Sequence, residues 1–290
     1  MPSASTRYEC LSPGVRALLG ILASTGRRTA AVRARNITSC DWNETLAIAL
    51  RHGVAPLLHR ALQSADALAA LPDDVRARLE EERRATALDN LRNYGEFRRV
   101  ARALAEQHIP VIALKGLHLA ELVYRDISLR PMGDMDILVP HSMVEPTVAV
   151  LRGLGFEPDR GVPSAYCIDL TQRGSGVLVE VHWTLANPTE AYTPPIDDIW
   201  RRAVPATLGD ADTLVMSPEF LLLYVCAHLA HHHHFAADFR ALCDIANIID
   251  SGHTLDWALV LNEGRQHGWG QGVAAALTRN LQRGRIYEHR

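Results

Sequence analysis

The sequence predicts an α+β fold in which a small α/β core is flanked by N-terminal and C-terminal helical regions. Three observations carry this. Residues 73–108 keep apolar side chains at three- and four-residue steps, the spacing of one helix face. At Ile109 the pattern changes to short apolar runs separated by glycine, proline and aspartate. After Ser217 helical periodicity returns. The boundaries that follow are 1–108 for the N-terminal helical region, 109–215 for the core and 216–290 for the C-terminal helical region.

Taken in order, Pro72-Asp73-Asp74 suits a helix start, because early carboxylates favour the positive end of the helix. Val75, Leu79, Leu88, Leu91, Tyr94, Phe97, Val100 and Leu104 form its expected buried face, and the run Glu80 to Arg84 reads as a solvated one. Ile109 to Leu114 is a short buried strand, ended by Lys115-Gly116, and Leu117 to Tyr124 is a helix. Arg125 to Gly133 is a loop, and Met135 to Val139 a second strand. Ser142 to Leu154 is a helix closed by Gly155. Tyr166–Leu170 and Gly176–Trp183 are further strands around a glycine-containing turn. Residues 187–215, rich in proline and aspartate, read as a connecting segment. Ser217-Pro218-Glu219 is a strong helix start. It opens a mostly helical stretch to Ile249, and helices around 255–267 and 272–281 follow.

Composition narrows the functional classes. Of 290 residues 48% are hydrophobic and 22% charged, which supports a packed core in an ordinary globular chain. A net charge of −3 argues against an extended nucleic-acid footprint, while a local basic cleft stays compatible with it. The five cysteines are scattered with no C-x-x-C pair, so they read as buried or incidental thiols in a reducing compartment. No apolar run approaches the ~18 residues of a membrane span, and the apolar stretch 17–23 has no clear cleavage site after it. A cytoplasmic protein is the expectation.

The chemistry concentrates in Gly133-Asp134-Met135-Asp136-Ile137-Leu138-Val139. Strand side chains alternate, so Asp134 and Asp136 face the same way, and their mutual repulsion calls for a cation. Upstream stands Lys115, the only lysine in the chain, with Gly116 after it at a strand-to-helix junction of the kind that seats phosphate. Downstream, Glu180 and His182 share a strand face. Three carboxylates on neighbouring strands suit Mg²⁺, which prefers oxygen ligands and retains waters or substrate phosphates.

These residues carry a resemblance. The order of strand, glycine turn, helix, D-x-D strand and third carboxylate strand resembles the polymerase-beta-type nucleotidyltransferase superfamily. More narrowly, Leu114-Lys115-Gly116, Tyr124, Leu129-Arg130-Pro131 through Val139, and Glu180-Val181-His182-Trp183 resemble an uncharacterised bacterial nucleotidyltransferase family. That family has an L-K-G turn and an R-P-x-x-D-x-D-x-L-V strand. Cys226 to His231 and Leu242 to Ala246 fit its downstream pattern, so the likeness covers roughly 105–250. The resemblance implies a small mixed-sheet nucleotidyltransferase core and transfer of a nucleoside monophosphate from NTP, ATP among them, to an unidentified acceptor, a small molecule or a protein. It implies two Mg²⁺ ions on Asp134, Asp136 and Glu180, one activating the acceptor oxygen and the other neutralising the triphosphate. Lys115 and Gly116 would hold phosphates, with Arg130 as a second contact. Two positions depart from the wider superfamily: Lys-Gly replaces Gly-Gly or Gly-Ser, and the third carboxylate is glutamate, with Asp169 as the fallback.

Each residue also has a plainer reading. Asp134 caps a turn, Asp136 and Glu180 face solvent, Lys115 is a surface lysine, Arg130 pairs with a nearby carboxylate, and His182 packs or orients a neighbour. His228, His231 and His232 have the spacing for Zn²⁺ on a helix face, but the run His231–His234 reads better as a polar helix end, or His231 as a cleft residue. The competing function is a catalytically silent nucleotide-binding or partner-binding module of the same fold. A histidine-based metal hydrolase is the third reading.

Overall fold

In the computed structural model, residues 12–23, 41–159, 164–187, 195–232 and 239–285 are described. The N-terminal region supplies α1 (Pro13–Ala23), α2 (Trp42–Arg51), α3 (Ala55–Ser64) and α4 (Asp73–Glu106). Asp41 caps α2, its carboxylate accepting from Glu44 N at 3.0 Å. At 34 residues, α4 runs about 50 Å. It joins two cores: Val75 and Leu79 pack among the helices, while Tyr94, Phe97, Val100 and Leu104 pack under the sheet.

The middle of α4 departs from the expected face. Leu88 and Leu91 are 63% and 57% exposed, and Thr86, Asn90 and Asn93 are buried instead. The reason lies in what this stretch packs against. It faces the loop before the D-x-D strand, whose backbone carbonyls need donors. Asn90 Nδ2 donates to Ile127 O (2.6 Å) and Arg130 O (2.8 Å), and Asn93 Nδ2 to Met132 O (3.4 Å). Arg83 is not merely solvated either: it donates to Ser128 Oγ (3.0 Å) and Asp126 Oδ2 (3.2 Å) of the same loop.

The core is a seven-stranded mixed sheet: β1 (Ile112–Ala113), β2 (Met135–Leu138), β3 (Phe156–Pro158), β4 (Cys167–Gln172), β5 (Leu178–His182), β6 (Val204–Leu208) and β7 (Ala211–Val215). Their order is β3-β4-β5-β2-β1-β7-β6, with β2 parallel to β5 and β1 parallel to β7, the other pairs being antiparallel. Strand β1 is shorter than the apolar run suggests. Lys115 already opens the next helix, α5 (Lys115–His118), which runs on as a π turn, Leu119–Val123. Helix α6 (Val144–Gly153) follows β2.

Residues 187–215 hold more than a connection. They contain α7 (Ile196–Arg201) and the β6–β7 hairpin, whose turn residues Gly209 and Asp210 both have positive φ, +53° and +61°. That is a two-residue primed turn, and Gly-Asp between two strand-like runs is its signature. Glu121 Oε2 accepts from Gly209 N (3.0 Å), tying the hairpin to the π turn. The short edge strand β3 is likewise absent from the sequence expectation.

Strand alternation sorts the two sheet faces. Met135, Ile137, Val179 and Val181 turn to the core shared with α4 and α6. Asp136, Glu180 and His182 turn the other way, towards the C-terminal helices. These are α8 (Pro218–Ala227), running on as a π turn His228–His232, then α9 (Phe239–Asp250), α10 (Trp257–Gln266) and α11 (Gly270–Arg285). Ser217 caps α8 through Phe220 N at 3.5 Å. Among the described residues, no helix is long and apolar enough to cross a membrane. Cys167, Cys226 and Cys243 are buried.

Candidate active site

Parallel pairing of β2 with β5 sets Asp136 directly beside Glu180 and Leu138 beside His182. Asp134 stands one residue before β2. Ligand oxygens of Asp134, Asp136 and Glu180 all lie within 4.8 Å of one another. A one-residue slip in either strand would turn these carboxylates into the apolar core, so the aliphatic alternation that fixes the register also assembles the site. Asp169 pairs with Glu180 on the neighbouring strand, but its carboxylate lies 3.5 Å from Cys167 Sγ. Glu180, not Asp169, stands with the two aspartates.

Asp136 is 3% exposed. His182 Nε2 donates to its Oδ1 (3.1 Å) and also to Glu180 Oε2 (3.2 Å), so one imidazole orients both carboxylates. Lys115 Nζ stands 3.5 Å from the same Asp136 oxygen. Leu114 N donates to Asp136 O (3.0 Å), a backbone bond that brings the lysine alongside. From the helical side, His228 Nε2 accepts from Lys115 Nζ (3.3 Å), and the ammonium sits 5.4 Å from the Tyr224 ring centroid.

The electrostatics separate the two aspartates. Burial opposes ionisation of Asp136, but the Lys115 charge and the His182 hydrogen bond and charge more than offset it, holding this carboxyl well below the usual range. Asp134 moves up: burial and the charges of Asp136 and Glu180 outweigh Lys115 and Arg130. His182 is pushed up because the bonds to Asp136 and Glu180 overcome its burial. Lys115 and His182 both favour the ionised form of Asp136, and Asp134 carries the surplus repulsion. Oxygen-only donors, close spacing and uncompensated negative charge fit a hard divalent cation.

Arg130 is 9% exposed and anchored. Its NH2 donates to Asp244 Oδ2 (3.2 Å), whose Oδ1 accepts from Tyr124 OH (2.8 Å). The buried Tyr124–Asp244–Arg130 set joins α9 to the loop before β2. The Arg130 Nε has no hydrogen-bond partner. Gly116 has a packing reason: a Cβ there would meet Met132 Cγ and Sδ at 2.9 Å and Arg130 NH1 at 3.3 Å.

Asp134, Asp136, Glu180, Lys115 and Arg130 line one cavity of about 440 Å³, closed from the helical side by Tyr224, His228 and Asp244. Its size is that of a small-ligand site. Gly116 is not among the lining residues; it lies behind them. Sequence reasoning missed Asp244 and Tyr224 as lining residues, and Asn90 as a support. The available signal for Asp244 was a charged residue within the otherwise apolar stripe of α9. His228, which the sequence offers as a zinc ligand or as part of a polar helix end, meets Lys115. The side chains of His231 and His232 and all of His233 and His234 lie outside the described residues.

The chain is similar to three solved structures. The antibiotic-resistance factor ANT(2'')-Ia in solution is 13% identical, with 68% of this chain and 98% of that one covered and a TM-score of 0.45. An antigenic nucleotidyltransferase-like protein from Paracoccidioides brasiliensis is 16% identical, with 70% and 88% covered and a TM-score of 0.44. ANT(2")-Ia in complex with adenylyl-2"-tobramycin is 13% identical, with 64% and 98% covered and a TM-score of 0.39. No curated protein matches the chain. A family profile described as "Uncharacterised nucleotidyltransferase" matches residues 38–279, which include both strands with the carboxylates, the lysine turn and the helices over the cavity. The chain belongs to that nucleotidyltransferase family.

Proposed function

We propose that this chain is a Mg²⁺-dependent enzyme that moves a nucleoside monophosphate from NTP, ATP being the first donor to test, to an acceptor that is a small molecule or a protein. The observation that carries this reading is the acidic set Asp134, Asp136 and Glu180, drawn together in one cavity with Asp134 left electrostatically uncompensated. These three residues would hold the metal, with two ions the expected number. Bound there, Mg²⁺ supplies charge neutralisation for the triphosphate and the departing pyrophosphate.

The chain's own groups do the rest. His182 fixes the carboxylates of Asp136 and Glu180 in one orientation. Lys115, held between Asp136 and His228, is the phosphate contact. Arg130 adds positive charge from a guanidinium already anchored on Asp244, and Gly116 lets Met132 and Arg130 pack on the lysine turn. In the transfer, the acceptor O–H gives up its proton to solvent as its oxygen bonds to the α-phosphorus, the bond to the β-phosphate oxygen breaks, and pyrophosphate leaves with that electron pair. Positioning and charge stabilisation are what the protein contributes.

Asp136→Asn tests the reading. Mg²⁺-dependent pyrophosphate release across an acceptor panel should fall by at least about 10²–10³-fold, the scale of losing a preorganised charge-stabilising group. Far-UV circular dichroism should stay unchanged. Undiminished turnover in that variant would exclude the metal assignment. NTP binding in the wild type without any acceptor-dependent turnover would favour the silent binding module.

A further inference from the structure

A second group of metal-ligating side chains lies outside the cavity. Asp198 on α7, Glu263 on α10 and His267 at the end of α10 each offer a ligand atom within 4.8 Å of the others. Glu263 and His267 are four residues apart, so they project from one helix face. Asp198 comes from the segment that leads into the β6–β7 hairpin.

The decisive group is Glu263. It is 8% exposed, and its Oε2 is buried without a hydrogen-bond partner. That oxygen points into the cluster, 3.5 Å from His267 Nε2, too far for a good hydrogen bond. A buried carboxylate oxygen left unsatisfied is costly, and a buried charge is normally paired or bound to metal. His267 and Asp198 keep side-chain exposures of 25% and 27%, so an ion reaches Glu263 from solvent through them. The cluster also sits at the C-terminal end of α10, the negative end of the helix dipole. Asp198 contacts Arg201, but that arginine is 72% exposed and such pairs contribute little.

We infer that Asp198, Glu263 and His267 form a structural site for a borderline divalent transition cation, with Zn²⁺ the type ion. Two carboxylates and one imidazole suit Zn²⁺ or Mn²⁺ better than Mg²⁺ or Ca²⁺, whose sites are built from oxygen alone. Three protein ligands leave the remaining positions to water. The ion clips α7, and with it the β6–β7 edge of the sheet, to α10. Helix α10 packs on α8, which carries Tyr224 and His228 into the catalytic cavity. The site therefore sets stability and the seating of the helical wall, not the chemistry.

The test uses the full chain, stripped with EDTA and held in excess Mg²⁺, titrated with Zn²⁺ by calorimetry and by thermal melting. The wild type should bind one Zn²⁺ at this site with a rise in melting temperature. His267→Ala and Glu263→Gln should each weaken binding by at least about tenfold and lose the rise. Nucleotidyl transfer by His267→Ala in Mg²⁺ alone should be unchanged. Cys167→Ser, and replacement of His231 to His234 by alanine, should keep the Zn²⁺ response, because they remove other zinc ligands. Glu263→Gln should melt, metal-free, close to the wild type, since it keeps the size and shape of the side chain; that separates lost binding from misfolding. Zn²⁺ affinity unchanged in both His267→Ala and Glu263→Gln, or no Zn²⁺-induced shift in the wild type, overturns the site. Anomalous diffraction at the zinc edge gives the second readout: a peak between the three side chains is expected, and no peak there overturns it.

Discussion

Asp134 and Asp136 are two residues apart and share a strand face, yet their surroundings drive them in opposite directions. Asp136 is held ionised by Lys115 and His182 against its burial. Its pKa lies below the ordinary 3.8, so it contributes stability above that value which is lost as pH falls through the lower range. Asp134 is raised, so the folded state takes up its proton first, and stability falls as pH rises from 3.8 through its folded pKa. Metal-free protein should therefore gain stability from Asp134 on mild acidification and lose it from Asp136 on further acidification. Asp134→Asn should remove the first effect. In that variant the metal-free melting temperature at pH 7 should rise, by about 2–4 °C for each kcal/mol of repulsion relieved. It should also lose most of the Mg²⁺-induced stabilisation. An Asp134→Asn variant that melts below the wild type in EDTA and keeps its full response to Mg²⁺ would contradict this account.

At the scale of elements, the loop before β2 is the part most dependent on distant partners. It is held by Asn90 and Asn93 of α4 and, through Arg130, by Asp244 of α9. Asp244→Asn leaves a buried guanidinium without its counter-charge, which should cost about 3–5 kcal/mol in urea denaturation. A loss below about 1 kcal/mol, the value of an exposed pair, would show that Arg130 finds another partner. These supports explain what was and was not legible in the sequence. The carboxylates and Lys115 were legible because strand alternation and a turn are local signals. Arg130–Asp244 spans 114 positions and Asn90–Arg130 spans 40, and no local pattern encodes such pairings. Leu88 and Leu91 followed the helical spacing but point to solvent, because mid-helix α4 packs on backbone carbonyls and there prefers asparagine. The β6–β7 hairpin was hidden by its proline and aspartates, although its Gly-Asp turn was readable.

For the whole molecule, the sheet presents one apolar face to α4 and α6 and one functional face to α8 and α9. The cavity exists only where the C-terminal helices close over the D-x-D strand, so the helical region is a wall of the site and not an appendage. Fold and family were legible because the mixed core and its motifs stand in sequence order; the acceptor was not, since it depends on the shape of that wall. The most direct measurement is a crystal structure of the wild type with Mg²⁺ and a non-hydrolysable NTP. Metal density bridging Asp134, Asp136 and Glu180, with the triphosphate against Lys115, is the predicted result. A triphosphate bound elsewhere, or bound in the cavity with no metal on those three carboxylates, would contradict the assignment.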